Sequence, residues 1–363
     1  MALNLLIWDK NADAGIVGQS VNQKIMGELM PSYLTREEQF IRPANNNPRG
    51  FILLGGTYIS MTVKDADETP RNLVFGSPVD TEYKFVEQLL DDGVAFQPGK
   101  DYYVYLVLQE PAEAQPLYTA DIKVSLNSTY PQGYTADTSR KIGGFHTLCA
   151  NVGTIDGHPL SGLLAGDILP ASFWDLSHRP TCQPEGMVYV KELDFWCDIY
   201  LQSGSGVNTK SVFGGTTTDS QTQSQHVEDL FRVGKMPLQD EEFQCAAEGS
   251  NQGTNIQNSA DPVTTGGHVD TAGRRMVSNY GLEDCCGALW QWLAGWSYGS
   301  NQTAAYVSDG GKGQIYQVNA LLAGGHWAHS AICGSRARAA TNSRLYVYAD
   351  CGCRGRARSR VER

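Results

Sequence analysis

Between Gly324 and Gly355 the chain reads GGHWAHSAICGSRARAATNSRLYVYADCGCRG. Gly324 and Gly325 permit a tight backbone turn that side chains would obstruct. Trp327 is suited to anchor the segment by burial and Arg336 by forked hydrogen bonds. Tyr346, Tyr348 and Asp350 alternate, which on a strand puts them on one face. Leu345, Val347 and Ala349 then point to the other face, toward a core. A row of Tyr, His, Asn and Ser is a good composition for a contact surface, because Tyr adds area at low entropic cost.

The arginines of this stretch belong to a larger asymmetry. Residues 336–363 hold eight Arg against two acids, while the whole chain carries a formal net charge of -11. An acidic body argues against nucleic acid or an anionic membrane as the main ligand. Arg354, Arg356, Arg358, Arg360 and Arg363 read as a solvated, partly disordered tail.

Upstream, the 363 residues exceed one typical domain, and 41% hydrophobic residues supply ordinary cores. GFILLGGTYISMTV, NLVFGS, DYYVYLVLQ, LYTADIKVSL and KIGGFHTL, all between residues 50 and 148, predict short strands separated by turn residues, hence a β-sandwich. Large residues on both phases of 102–106 predict a strand covered on both faces. Residues 149–170 read as a linker. MVYV and FWCDIYLQ predict strands, 203–224 and 250–273 long polar loops, and 238–248 a helix with acids in its first turn and Gly249 as its stop. GALWQW (287–292) predicts a buried strand. A helix is expected near Gln23–Met30.

The nine cysteines (149, 182, 197, 245, 285, 286, 333, 351 and 353) are odd in number and scattered, and read as reduced, buried small hydrophobes. Cys351 and Cys353 have no second close pair, so no zinc site is expected. No run approaches the ~20 apolar residues of a membrane span, and MALNLLIWDK lacks the charged start of a signal peptide.

Four stretches carry a resemblance: YTADTSRKIGGFH (134–146), FWDLSHRP…GMVYV…FWCDIYL (173–201), GALWQW (287–292) and the segment 324–355. Together they resemble the variable proteins of diversity-generating retroelements, the family of the bacteriophage major tropism determinant, over about two thirds of the chain. The resemblance implies a C-type-lectin-like C-terminal domain in which fixed positions alternate with diversified ones. The fixed scaffold would be Gly324, Gly325, Trp327, Gly334, Arg336, Arg354 and Gly355. The diversified, ligand-binding positions would be His326, Ala328, His329, Ser330, Ile332, Ala339, Thr341, Asn342, Tyr346, Tyr348, Asp350 and Cys351. Trp174, Trp196, Trp290, Trp292 and Trp327 would stiffen the frame beneath them.

Two other functions compete. Formylglycine-generating enzymes share this fold and ending, and use two nearby cysteines to bind copper; here only Cys333 lies in the corresponding stretch, leaving copper without paired thiolates. Calcium-dependent lectins carry Glu-Pro-Asn or Gln-Pro-Asp triplets that do not occur here, which leaves a calcium-independent glycan lectin as the alternative. No nucleophile elbow or phosphate loop is present.

The expectation is therefore a mainly β protein with some helix: an assembly segment (1–40), a β-sandwich domain (41–165) and a C-type-lectin-like domain (166–363). Its function would be binding without catalysis, cofactor or metal. The partner would be a host-surface protein or glycan, and the location the virion (tail-fibre-associated), or the cytoplasm before release. The oligomeric state, homotrimer or monomer, stays open.

Overall fold

The computed structural model describes residues 8–9, 39–64, 70–77, 79–84, 89–91, 93, 95–109, 119–298 and 318–361. The helix expected near Gln23–Met30 and the rest of residues 1–38, apart from 8–9, lie outside them. The described chain is mainly β, with two α-helices.

The strand Asp101–Gln109 organises the N-terminal half. It pairs antiparallel with Thr119–Ser125 on one side and Ser139–His146 on the other, and Trp174–Asp175 closes that edge. Tyr102, Val104, Leu106 and Leu108 point into one core, where Phe51, Phe75, Phe145 and Phe173 meet them. Two small sheets cover this core, one of Ile41–Pro43, Phe51–Leu53 and Thr81–Tyr83, the other of Trp8–Asp9, Thr57–Lys64 and Pro70–Ser77. Tyr103, Tyr105 and Val107 point the opposite way, onto Trp174, Met187, Trp196 and Ala357. The strand is thus buried on both faces, as its sequence predicts.

Gly143 and Gly144 explain how Trp174 comes so close. A Cβ at Gly143 would lie 2.5 Å from the Trp174 carbonyl, and one at Gly144 2.5 Å from that of Tyr102. Asp175 next to it ties the strand Ile41–Pro43 down: its carboxylate accepts from the amides of Phe40 (2.5 Å), Ile41 (2.9 Å), Ser177 (3.0 Å) and His178 (3.0 Å). A buried carboxylate with that many donors offsets its lost hydration.

The C-terminal half holds two further sheets. One orders His178–Pro180, Gly355–Val361, Phe195–Asp198 and Met187–Val190, with Met236–Pro237 also on Gly355–Val361. The other orders Gly334–Ala339, Val318–Gly324, Trp290–Tyr298 and Cys351–Cys353, the last pair parallel. The chain crosses from the second sheet to the first at a single residue, Arg354, which is 1% exposed. Its guanidinium donates to the carbonyls of Asp198 (2.8 Å), Ile199 and Glu283 and to Gln291 Oε1 (3.1 Å). Below it, buried Lys235 pairs with Asp198 at 2.5 Å, and the Gly355 amide donates to the same carboxylate.

Several expectations are corrected. The described part of the Arg-rich tail is ordered: Gly355–Val361 is an inner strand, with Ala357 in the core and buried Arg356 turned to Glu242 at 3.3 Å. Arg354 and Arg356 meet acceptors on distant segments and are buried, while Arg358 and Arg360 stay exposed. Residues 149–170 are not a linker either, since Leu148, Cys149, Val152, Leu160 and Leu169 enter a core with Val188, Tyr200 and Leu282. The strand expected from Gly287 begins at Trp290 and runs to Tyr298. The polar stretch after 203 ends in a helix, Gln223–Arg232, in place of a loop to 224. The helix expected at 238–248 spans Asp240–Ala246, and Gly249 follows with φ 78°. All nine cysteines are free, seven of them buried. No helix among the described residues is long and apolar enough to cross a membrane.

Candidate ligand-binding face

Two loops at one end of the second sheet carry most of the positions expected to bind. The first leaves Gly324 and returns at Cys333; the second connects Ala339 to Cys351. Gly324 and Gly325 adopt φ of 93° and 83°. Their Cβ atoms would lie 2.4 Å from the Cys285 carbonyl and 2.6 Å from the Cys333 sulfur. Only glycine makes this turn against so close a floor.

The floor comes from the polar stretch 250–273. The Gly253 amide donates to the Cys333 carbonyl (2.8 Å), Gln252 reaches Ser335 Oγ (3.2 Å), and Asn255 Nδ2 holds the Trp327 carbonyl. Asp270 locks that stretch by accepting from Ala272 and Arg274 amides (2.9 Å each) and Thr254 Oγ1 (2.7 Å). Trp327 packs half-buried on Leu201, Ile256, Met276 and Leu289.

Above this floor Ala328, His329, Ser330, Ile332, Thr341 and Tyr348 are exposed, and Ala339, Asn342, Tyr346 and Asp350 half-buried. His326 and Cys351 are not on the surface: they are 6% and 0% exposed. His326 joins the loops from beneath. Its ring meets His329 at 4.0 Å and Trp327 at 5.5 Å, and its Nε2 lies 3.9 Å from Asp350 Oδ2. Burial, with the neighbouring His329, holds its basicity below the usual histidine range against the pull of Asp350. Cys333 is a protonated thiol at neutral pH, since burial raises it to about 11. Among the described residues no group of three or more His, Cys, Asp or Glu is placed to hold a metal ion.

The strand expected at 345–350 does not form. Its alternation finds no partner strand. Turn bonds (Tyr346 N to Ser343 O, 2.9 Å) and the start of the helix Gln223–Arg232 hold it in its place. The Ser220 amide donates to the Tyr348 carbonyl (3.1 Å) and the Gln223 amide to that of Arg344 (3.0 Å). Leu345 and Val347, expected in the core, are 42% and 51% exposed, and Ala349 is exposed too. Tyr346 and Tyr348 nevertheless share a side, stacked at 3.7 Å with planes 11° apart. Tyr346 and Ala339 rest on Trp290, Trp292, Leu322 and Cys351.

Arg336, expected as a forked anchor, is exposed at the rim of a cleft with Glu241, Cys245 and Glu248. The buried cation of this segment is Arg354. Arg338 reaches Asp240 and covers the Phe243 ring at 5.2 Å. Sequence reasoning missed the helix Gln223–Arg232 and, with it, Arg344 and Trp296 as neighbours of the face. The signal was there in Thr222 and Gln225, which form a capping box.

The family model described as "Mtd second domain" matches residues 73–175. A tail fiber receptor-binding protein of Bordetella phage BPP-1 is 29% identical over 310 residues, 77% of each chain. The chain is tropism-determinant-like. Among solved structures, the Major Tropism Determinant U1 variant superposes with a TM-score of 0.71 over 92% of this chain and 88% of that one, at 24% identity. The I1 variant gives 0.71 over 93% and 88%, also at 24%. The tropism-determinant-like chain therefore has their fold, mainly β and ending in a C-type-lectin-like half.

Proposed function

We propose that this chain is a receptor-binding protein of a phage particle, associated with its tail fibres, that contacts a host-surface protein or glycan through the two loops between Gly324 and Cys351. The observation that carries the reading is the Tyr346–Tyr348 stack, held out to solvent with His329, Ser330, Ile332 and Thr341 over a floor of buried, hydrogen-bonded groups. Stacked, accessible tyrosines beside small polar residues bind at low ordering cost and need no chemistry. The named relative is a tail fiber receptor-binding protein, which supports a binding role.

The finer reading is that a diversity-generating retroelement varies the twelve positions from His326 to Cys351. Ten of them are at least partly accessible; His326 and Cys351 would act through the loops they support. On this reading residues 1–40 serve assembly, 41–165 form a sandwich domain and 166–363 display the ligand face. If the face is repeated in a homo-oligomer, avidity multiplies weak contacts.

Sequencing many copies of the gene tests diversification. Variation should concentrate at the twelve codons, beside a reverse transcriptase and a near-copy of the segment. Variation spread evenly along the gene overturns it. Adsorption of the protein to its host cells tests binding: replacing both tyrosines by alanine should abolish adsorption while leaving the fold intact, and unchanged adsorption refutes the face.

A further inference from the structure

Beside the two loops, the helix Gln223–Arg232 and the strand Trp290–Tyr298 enclose a cavity of ≈ 300 Å³. Its lining combines the apolar Val227, Phe231, Pro237 and Trp296 with the polar Gln223, Gln239 and Arg344. Phe231 and Trp296 are 59% and 60% exposed. Two large apolar side chains left open around one concavity mark a place where a ligand covers them.

The electrostatics are equally local. Among the described residues that line the cavity, Arg344 carries the only charge, on a chain whose net charge is -11. Its guanidinium sits 5.2 Å over the Trp296 ring, while Nε and Nη2 both donate to Ser224 Oγ, at 3.1 and 2.8 Å. One hydroxyl oxygen thus satisfies two donors of a planar fork. A carboxylate offers two oxygens to that fork and a full negative charge. The first turn of the helix adjoins it, with the Gln223 amide on the Arg344 carbonyl, and adds partial positive charge.

We propose that this cavity is a subsite for one carboxylated pyranose ring, the chemistry of a uronic acid unit in a surface glycan. The indole face suits the C–H side of a sugar ring, and the amides of Gln223 and Gln239 suit its hydroxyl edge. The volume lies at the lower end of ligand pockets, enough for one ring and too small for an extended peptide. Trp296 and Arg344 lie outside the twelve positions, so on the diversification reading the subsite stays constant while the adjoining loops vary. The subsite's constancy rests on the diversification reading, and the source of the sugar, a host surface, on the receptor-binding one.

The test is titration of the full chain with D-glucuronate, methyl glucoside and N-acetylglutamate, read by saturation-transfer NMR. Glucuronate should bind saturably in the millimolar range and methyl glucoside roughly tenfold more weakly, a step the loss of one charged contact accounts for. Arg344→Gln should bring glucuronate down to the methyl glucoside level. Trp296→Ala should remove both, and Trp296→Phe should keep part of the binding if the fold of the alanine variant is in question. No saturable glucuronate binding, or binding that Arg344→Gln leaves intact, overturns the subsite. Tighter binding of N-acetylglutamate than of glucuronate overturns the sugar class in favour of an acidic peptide. Host adsorption measured in parallel separates the two readings. Adsorption without glucuronate binding overturns the subsite alone, and glucuronate binding without adsorption overturns the receptor alone.

Discussion

The last described stretch of the chain divides into two regions of similar composition and opposite fate. From His326 to Asp350 the backbone runs in two loops either side of the short strand Gly334–Ala339, with Arg336, Leu345, Val347 and Tyr348 in water. From Cys351 to Ala357 every residue is buried, Arg354 and Arg356 included. Both regions alternate arginine with small residues, RARAA in one and RGRAR in the other. What separates them is the supply of acceptors. Arg354 meets three carbonyls and an amide oxygen from distant segments, whereas Arg336 stands at an open cleft. An arginine stays out of the core or enters it according to the partners that the fold brings to it, not according to its charge.

That contrast can be broken most severely at Arg354. Arg354→Met should strip the buried carbonyls of their donor and cost roughly 3 kcal/mol or more in urea denaturation. Arg336→Met should stay within about 0.5 kcal/mol. Equal costs would erase the distinction. Gly324→Ala acts at the hinge between sheet and loop, where a Cβ would meet the Cys285 carbonyl at 2.4 Å with φ at 93°. About 2 kcal/mol of lost stability is expected. A neutral result in the same denaturation series would mean that the turn relaxes.

The support of the exposed region should also depend on pH. His226 lies in the helix that holds the Arg344 and Tyr348 carbonyls at its start, with Nδ1 2.8 Å from Gln202 Oε1. Burial lowers it from 6.5 to about 4. The unfolded chain then takes up the proton first, so this contribution is complete above pH 6.5 and is lost as pH falls toward 4, by at most ~1.4 kcal/mol per unit. His226→Gln should flatten that part of a stability–pH curve, and an unaltered slope would point to other groups. The smallest effect on stability belongs to the ligand face itself. Losing the Tyr346–Tyr348 stack in the double alanine variant should cost about 1 kcal/mol or less, and a larger loss by denaturation would make the pair a structural element.

The sequence makes the N-terminal half largely legible because its strands write their environment in residue type. In DYYVYLVLQ both phases are large and apolar, and both faces prove covered. The ending RGRARSR carries the same period, yet its partners, Asp198, Glu242 and Glu283, lie about 70 to 160 residues away, and nothing local announces them. YVYAD misled for the opposite reason. Its alternation is real, but a strand needs a neighbour, and Ser220 and Gln223 take the backbone bonds instead. The glycine turn and the tyrosine pair could be read from the segment alone. The cavity at Trp296 and Arg344 could not, because it exists only once the helix Gln223–Arg232, distant in sequence from both, has packed beside them.

Asp101–Gln109 has one further consequence. Its two faces are walls of different cores, so neither core can open without stripping the strand from the other. Heating should give a single calorimetric endotherm whose van't Hoff and measured enthalpies agree. On the receptor-binding reading, a particle carrying such a chain would lose its grip on the host abruptly, at one temperature, with no half-competent form on the way.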